Sequence, residues 1–299
     1  MHAQRASLAD GRWHFQHGPI DLVIGADGEA GALAAAHAAA WARFETVLPE
    51  LVSELRALRL PVRVPCPLQG VVARRMWHAC RPFHAGFITP MAAVAGAVAQ
   101  EMIGCYERPG IDRAWVNNGG DIALHLAPGA SVKVGLFADL ARFDPAAGVP
   151  ALDGGFEVCA AMPVRGVATS GWRGRSFSLG IADSVTVLAR SAALADAAAT
   201  MIANAVDVDD PRIERRPANT LKDDTDLGEI AVTVAVPALG AAAVDRALDA
   251  GARRAEALRG QGLIHAALLV CQHRGRRIGP VAAEARHGPV VPELGSVFA

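Results

Sequence analysis

Apolar and polar positions alternate on both sides of His17-Gly18-Pro19, the period of a half-buried strand pair, and this predicts a hairpin of residues 12–16 against 20–24. An alanine-rich stretch then changes the period. Phe44, Leu48, Leu51, Leu55 and Leu58 recur at steps of four and three, which defines one buried helical face, with Pro49 expected to break or kink it. Thr89-Pro90 has the form of a helix start: a hydroxyl at the N-cap and a proline at the first helical position, where no N–H is required. The helix after it is built from Ala92, Ala93, Ala95, Gly96, Ala97 and Ala99, so a sheet or a ligand can approach its backbone closely. Ordinary packing against strands accounts for the same residues.

The middle of the chain turns to short, often β-branched segments separated by Gly, Pro, Asp or Asn, and strands are predicted at 114–117, 122–126, 132–137, 156–160, 164–168, 176–181 and 184–189. Ser191 is placed to cap a helix over 192–206. The polar stretch 207–226, with Pro211 and Pro217, reads as a mobile loop or lid. A strand at 229–236, a helix over 241–259 and a strand at 263–271 follow, and the tail after Arg274 is expected to be irregular. Helices and strands are mixed without strict alternation, which predicts a single α+β domain over 1–299, with packed helices and a mainly antiparallel sheet.

Composition narrows the function classes. With 299 residues, 52% of them hydrophobic, the chain can bury a large core and is not disordered. The net charge is −1 and the 29 Lys and Arg residues are scattered, which excludes the footprint of a nucleic-acid binder or a polybasic membrane segment. Cys66, Cys80, Cys105, Cys159 and Cys271 are odd in number and irregularly spaced, as expected of a reduced compartment. No leader-like segment opens the chain, and the apolar stretch 91–104 is short and interrupted by Gln100 and Glu101; a cytoplasmic protein with no membrane partner is expected.

Three motifs carry candidate chemistry. Asn117-Asn118-Gly119-Gly120-Asp121 lies between two predicted strands, where its glycines let a ligand contact the main chain; an N-G dipeptide there is equally a hairpin turn. Ala168-Thr169-Ser170-Gly171 offers two hydroxyls and a glycine N–H, followed by Arg173 and Arg175, whose charge suits phosphate oxygens. Asp196 and Thr200, four residues apart, project from one helix face with oxygen donors for a hard cation such as Mg²⁺. Trp77, Trp115 and Trp172 can fill a core or stack on a heterocycle, and Trp172 stands out because it directly follows the Thr-Ser-Gly turn. His78 and His84 near Cys80 lack metal-site spacing, and His125 falls within a strand.

The order Gly119-Gly120-Asp121, Thr169-Ser170-Gly171, Val185-Thr186-Val187 and Asp196-Ala197-Ala198-Ala199-Thr200 resembles the ApbE superfamily of FAD:protein FMN transferases, once described as thiamine-biosynthesis proteins. Phe87-Ile88-Thr89-Pro90-Met91-Ala92-Ala93-Val94-Ala95-Gly96, followed by Val116 and the Asn-Asn-Gly-Gly-Asp turn, is similar to one branch of it. The resemblance implies an ApbE-like fold and magnesium ligands at Asp196, Thr200 and a main-chain carbonyl near Ala92. It also implies a site for FAD or another flavin-like ligand lined by Asn118, Gly119, Gly120, Asp121, Thr169, Ser170 and Gly171, with Arg173 beside it. Ala95 stands where the family has a lysine and Gln100 where it has an aspartate, and the segment 178–183 is too short for the family's histidine-bearing loop. Three readings follow: a Mg²⁺-dependent transferase acting on a flavin or phosphorylated cofactor, a cofactor-binding or carrier protein without transferase chemistry, and an enzyme of another cofactor pathway such as that of a pterin. The partner in each is a small molecule. Alanine-rich helices permit a homodimer.

Overall fold

The computed structural model describes residues 2–136, 154–280 and the backbone of 296–298. Its strands are β1 (Gln4–Ser7), β2 (Trp13–His17), β3 (Ile20–Gly28), β4 (Ile111–Asn118), β5 (Asp121–Leu126), β6 (Ser131–Leu136), β7 (Gly154–Cys159), β8 (Gly166–Ser170), β9 (Ser184–Ala189), β10 (Glu214–Pro217), β11 (Ala231–Ala235), β12 (Ala266–Cys271), β13 (Arg274–Ile278) and β14 (Ser296–Phe298). The helices are α1 (Ala30–Ser53), α2 (Leu55–Leu58), α3 (Val71–Cys80), α4 (Val94–Ile103), α5 (Ala192–Ala205) and α6 (Ala241–Gly260). Among the described residues nine strands form one sheet in the order β1-β2-β3-β4-β5-β8-β9-β12-β13, every neighbouring pair antiparallel. A smaller sheet runs β14-β6-β7, and β10 pairs with β11. The fold is the expected α+β arrangement.

Strand alternation divides the large sheet into two faces. Ala114, Val116, Ala123, Ala168, Val185 and Val187 share one core with the helices. Trp115, Ile122, Leu124, Val167 and Leu188 turn the other way, onto Val132, Val134, Phe156 and Val158 of the smaller sheet. The helix-facing positions of the central strands are small, α5 is mostly alanine and α4 carries Ala95, Gly96, Ala97 and Ala99, so both helices lie close to the strands and to each other. Gly96 of α4 shows how close: a Cβ there would stand 2.4 Å from the Ala192 carbonyl oxygen at the start of α5.

Several elements depart from the pattern reading. Helix α1 runs through Pro49 and the break comes at Glu54; the carbonyl that Pro49 cannot reach is that of Glu45, an exposed residue. The buried face is Ala36, Ala40, Phe44, Val47, Leu51 and Leu58, while Leu48 and Leu55 are half-buried. Residues 176–181 form no strand. Their backbone closes the end of α5 instead: Leu179 N–H donates to Asn204 Oδ1 at 2.9 Å, Ile181 N–H to the Val206 carbonyl at 2.8 Å, and Gly180 lies against the Ala203 carbonyl. The chain after Arg274 is not irregular at its start, since β13 pairs with β12 through a turn in which Gln272 and His273 both take positive φ. The stretch 207–226 includes β10, and Asp224 pairs with Arg59.

Candidate functional site

The antiparallel order β4-β5-β8-β9 brings one end of four strands to a common rim. The β4–β5 turn holds Asn118, Gly119, Gly120 and Asp121; Ser170 ends β8 opposite Val185, next to the start of β9. Gly119 and Gly120 have φ of +66° and +111°, the backbone freedom that makes this turn, and Asn117 Oδ1 accepts from Gly120 N–H at 2.8 Å. The hairpin reading and the ligand reading thus share one geometry.

Three hydrogen bonds tie the motifs together. Thr169 N–H donates to Asp121 Oδ1 at 3.2 Å, joining the two turns. Asn118 Nδ2 donates to the Ala95 carbonyl at 3.1 Å, joining the first turn to the small-residue helix. Gly96 N–H, one of the donors left unpaired in the first turn of α4, meets Asp196 Oδ2 at 2.9 Å and joins that helix to α5. Thr200 is half-buried one turn further along α5. Ala92, also half-buried, sits in a 3-10 turn, Pro90–Ala93, with its N–H on the Thr89 carbonyl at 3.2 Å. The Thr169 and Thr186 hydroxyls are hydrogen-bonded at 2.9 Å, and Ser170 is half-buried beside them. Gly171 is pressed onto the backbone of Asp183, where a Cβ would lie 2.3 Å from the carbonyl oxygen, so its lack of a side chain answers to packing. Arg173 lies over the Trp172 ring at 4.9 Å and near Asp183 at 3.7 Å; Arg175 reaches back to within 3.4 Å of the Cβ position of Gly119.

The electrostatics are those of carboxylates sharing a desolvated space. Burial, and then the charge of Asp196, pushes the Asp121 carboxyl well above the usual carboxylate range. Burial pushes Asp196 up to about 7, against the pull of the Gly96 and Ala95 N–H groups. Sequence reasoning missed two neighbours. Asp226, from the far end of the 207–226 stretch, accepts a hydrogen bond from the buried Thr89 hydroxyl. Cys80 is buried, its thiol pushed well up by burial and then by the charges of Asp196 and Asp226, so it stays protonated. Neither carries a motif, since Asp226 is one of several acids in a polar run. Trp77 and Trp115 are core residues, and His125 bonds to the Ile111 carbonyl.

Among the described residues no three His, Cys, Asp or Glu side chains gather closely enough to enclose a metal. Mg²⁺ asks for less from protein, because it keeps waters and takes phosphate oxygens. A carboxylate anchored by one oxygen, a hydroxyl one turn away and a nearby second buried carboxylate fit such an ion, and its charge would relieve the Asp196 repulsion that adds to burial in raising Asp121. No helix among the described residues is long and apolar enough to cross a membrane.

A family model described as AbpE bacteria matches residues 5–283. A UPF0280 protein from Methanopyrus kandleri is 39% identical over 222 residues, covering 72% of this chain and 83% of that protein. Another, from Methanothrix thermoacetophila, is 37% identical over 151 residues, covering 50% of this chain and 58% of that protein. The match to a third, from Methanospirillum hungatei, spans 47% of that relative's own length, so the chain spans about half the length of several curated relatives. The solved ApbE protein from Thermotoga maritima superposes with a TM-score of 0.49 at 12% identity, covering 92% of this chain and 96% of that one. The flavin transferase ApbE from Vibrio cholerae gives 0.47 at 11% identity with the same coverage.

Proposed function

The chain belongs to the family described as AbpE bacteria, and from that footing we propose that it binds a phosphate-bearing, flavin-like cofactor together with Mg²⁺ and passes its nucleotide portion to an acceptor hydroxyl. The observation that carries the reading is the hydrogen-bonded convergence of Asp121 and Asp196, from two motifs far apart in sequence, into one desolvated space. Asp121 is buried and Asp196 half-buried, and like charges brought together with so little water are costly unless a counter-charge joins them.

Each residue then has a task. Gly119 and Gly120 admit the ligand to the main chain, with Asn118 fixing their turn against α4. Ser170 presents a hydroxyl, Thr169 contributes its N–H to Asp121 while its own hydroxyl pairs with Thr186 on the other face of the sheet, and Arg173 and Arg175 bring positive charge to the phosphate side. Asp196 and Thr200 hold the cation, with a carbonyl at Ala92 as the third protein donor. When bound, Mg²⁺ supplies neutralisation of phosphoryl charge. With FAD as donor, the acceptor hydroxyl gives up its proton to solvent as its oxygen bonds to the phosphorus of the FMN half, the diphosphate bridge breaks, and AMP leaves.

The test is incubation of the purified chain with FAD, Mg²⁺ and candidate protein acceptors, following AMP and covalent flavin, with Asp196→Asn as control. Release of AMP that depends on Mg²⁺ and on Asp196 is expected. Saturable FAD binding without AMP would favour the carrier reading, to which Ala95 and Gln100, in place of the charged residues of the resembled pattern, already point. A pterin competing better than FAD would reassign the ring, and absence of both binding and turnover would overturn the proposal.

A further inference from the structure

We infer that Trp172 is the platform on which the planar ring of the cofactor stacks; this rests on the proposed cofactor site and extends it to the ring end of the ligand. Trp172 is built differently from the other tryptophans; Trp13 and Trp41, also half-buried, pack against the rings of Phe15, His37 and Phe44. Trp77 and Trp115 are 4% and 5% exposed and fill cores, whereas Trp172 is half-buried. Its backbone N–H is fixed to the Ala182 carbonyl at 3.0 Å, and its indole N–H donates to Asp183 Oδ1 at 3.3 Å. Asp183 is itself held by the Gln272 N–H at 2.5 Å on its other oxygen. The ring is therefore set from its edge by dedicated polar contacts, which leaves its orientation independent of what covers its face.

What covers that face is the Arg173 guanidinium, a flat cation 4.9 Å from the ring centre. Among the described residues no aromatic ring packs against Trp172. An indole face that holds a planar, electron-poor group is equally suited to an electron-poor heterocycle. The same short loop carries Arg175 back to Gly119, so one segment spans from the aromatic face to the glycine turn with two guanidiniums along it. A ligand with a flat ring at one end and phosphates at the other matches that layout: the ring takes the place of Arg173 on the indole, and Arg173 turns toward the phosphates.

The test compares FAD and inorganic pyrophosphate, each with Mg²⁺, as ligands for the full chain and for Trp172→Phe and Trp172→Ala. Removing a stacking side chain costs about a tenfold loss of affinity or more. Trp172→Ala is expected to show that loss for FAD and none for pyrophosphate, Trp172→Phe to keep most of the FAD affinity, and both to lose most of the FAD-induced quenching of tryptophan fluorescence. Intact pyrophosphate binding shows that the variants fold. Unchanged FAD affinity in Trp172→Ala, or equal losses for both ligands, overturns the inference alone. Wild-type protein that binds neither ligand overturns the cofactor reading with it.

Discussion

At Gly96 a hydrogen atom stands where any other residue would place its Cβ, 2.4 Å from the Ala192 carbonyl oxygen and 2.9 Å from Asp196 Cβ. The first obstacle is helix backbone, which cannot swing aside as a flexible side chain would. Gly96→Ala must therefore push α4 and α5 apart, and because the Gly96 N–H is what holds Asp196 Oδ2, the shift also loosens the carboxylate. Overpacking of this kind costs about 1–3 kcal/mol. Urea unfolding should show a lower midpoint with an unchanged slope, and Mg²⁺ should raise the melting temperature of the variant less than that of the parent. A variant as stable as the parent would mean that the two helices are not held at this distance.

Among the elements, the 207–226 stretch is tied down at its far end by side chains: Asp226 accepts from Thr89 at the start of the 3-10 turn before α4, and Asp224 pairs with Arg59. Asp226→Ala removes the inner tie while leaving the helices packed. Limited proteolysis should then cut within 207–226 faster than in the parent with little change in melting temperature; equal rates would show that the Thr89 contact does not hold the segment. Elements with a strong, uninterrupted period were legible from sequence, among them the hairpin at 12–24 and the helices α5 and α6, because local pattern and tertiary packing agree there. The stretch 176–181 misled because its β-like composition serves to close the end of α5, where Asn204 and Val206 take its N–H groups. The β12–β13 hairpin was hidden because its turn residues, Gln272 and His273, adopt positive φ without being Gly or Asn. Of the candidate site, the two glycine turns and Asp196 stand out by spacing, and the fold brings them into one chain of hydrogen bonds. Asp226 does not stand out, since a contact across 137 residues leaves no local trace.

Over the whole molecule, two sets of carboxyl groups pull stability in opposite directions with pH. Burial works to raise the Glu101 carboxyl, but the bonds from Arg43 and Arg75, at 2.7 and 2.5 Å, outweigh it and hold it below its ordinary value. Its contribution is present above the unfolded-state value and is lost as pH falls through the depressed folded one, which makes an acid limb. Asp121 and Asp196 behave oppositely. Their folded-state values lie above the unfolded 3.8, that of Asp196 at about 7, so between those limits the folded protein holds more protons than the unfolded chain. Stability therefore falls as pH rises across that window and levels off, for the Asp196 part, above it. A divalent cation held as proposed would bind the deprotonated pair and so oppose the loss only where the loss has occurred. Without divalent ions, the melting temperature should be lower at about pH 8 than at about pH 5.5; Mg²⁺ should restore it at the higher pH and do little at the lower. Asp196→Asn keeps the acceptor for Gly96 N–H but removes the charge, so it should flatten the fall and abolish the Mg²⁺ response. If the variant retains both the pH slope and the Mg²⁺ response of the parent, the cation does not sit between α4 and α5.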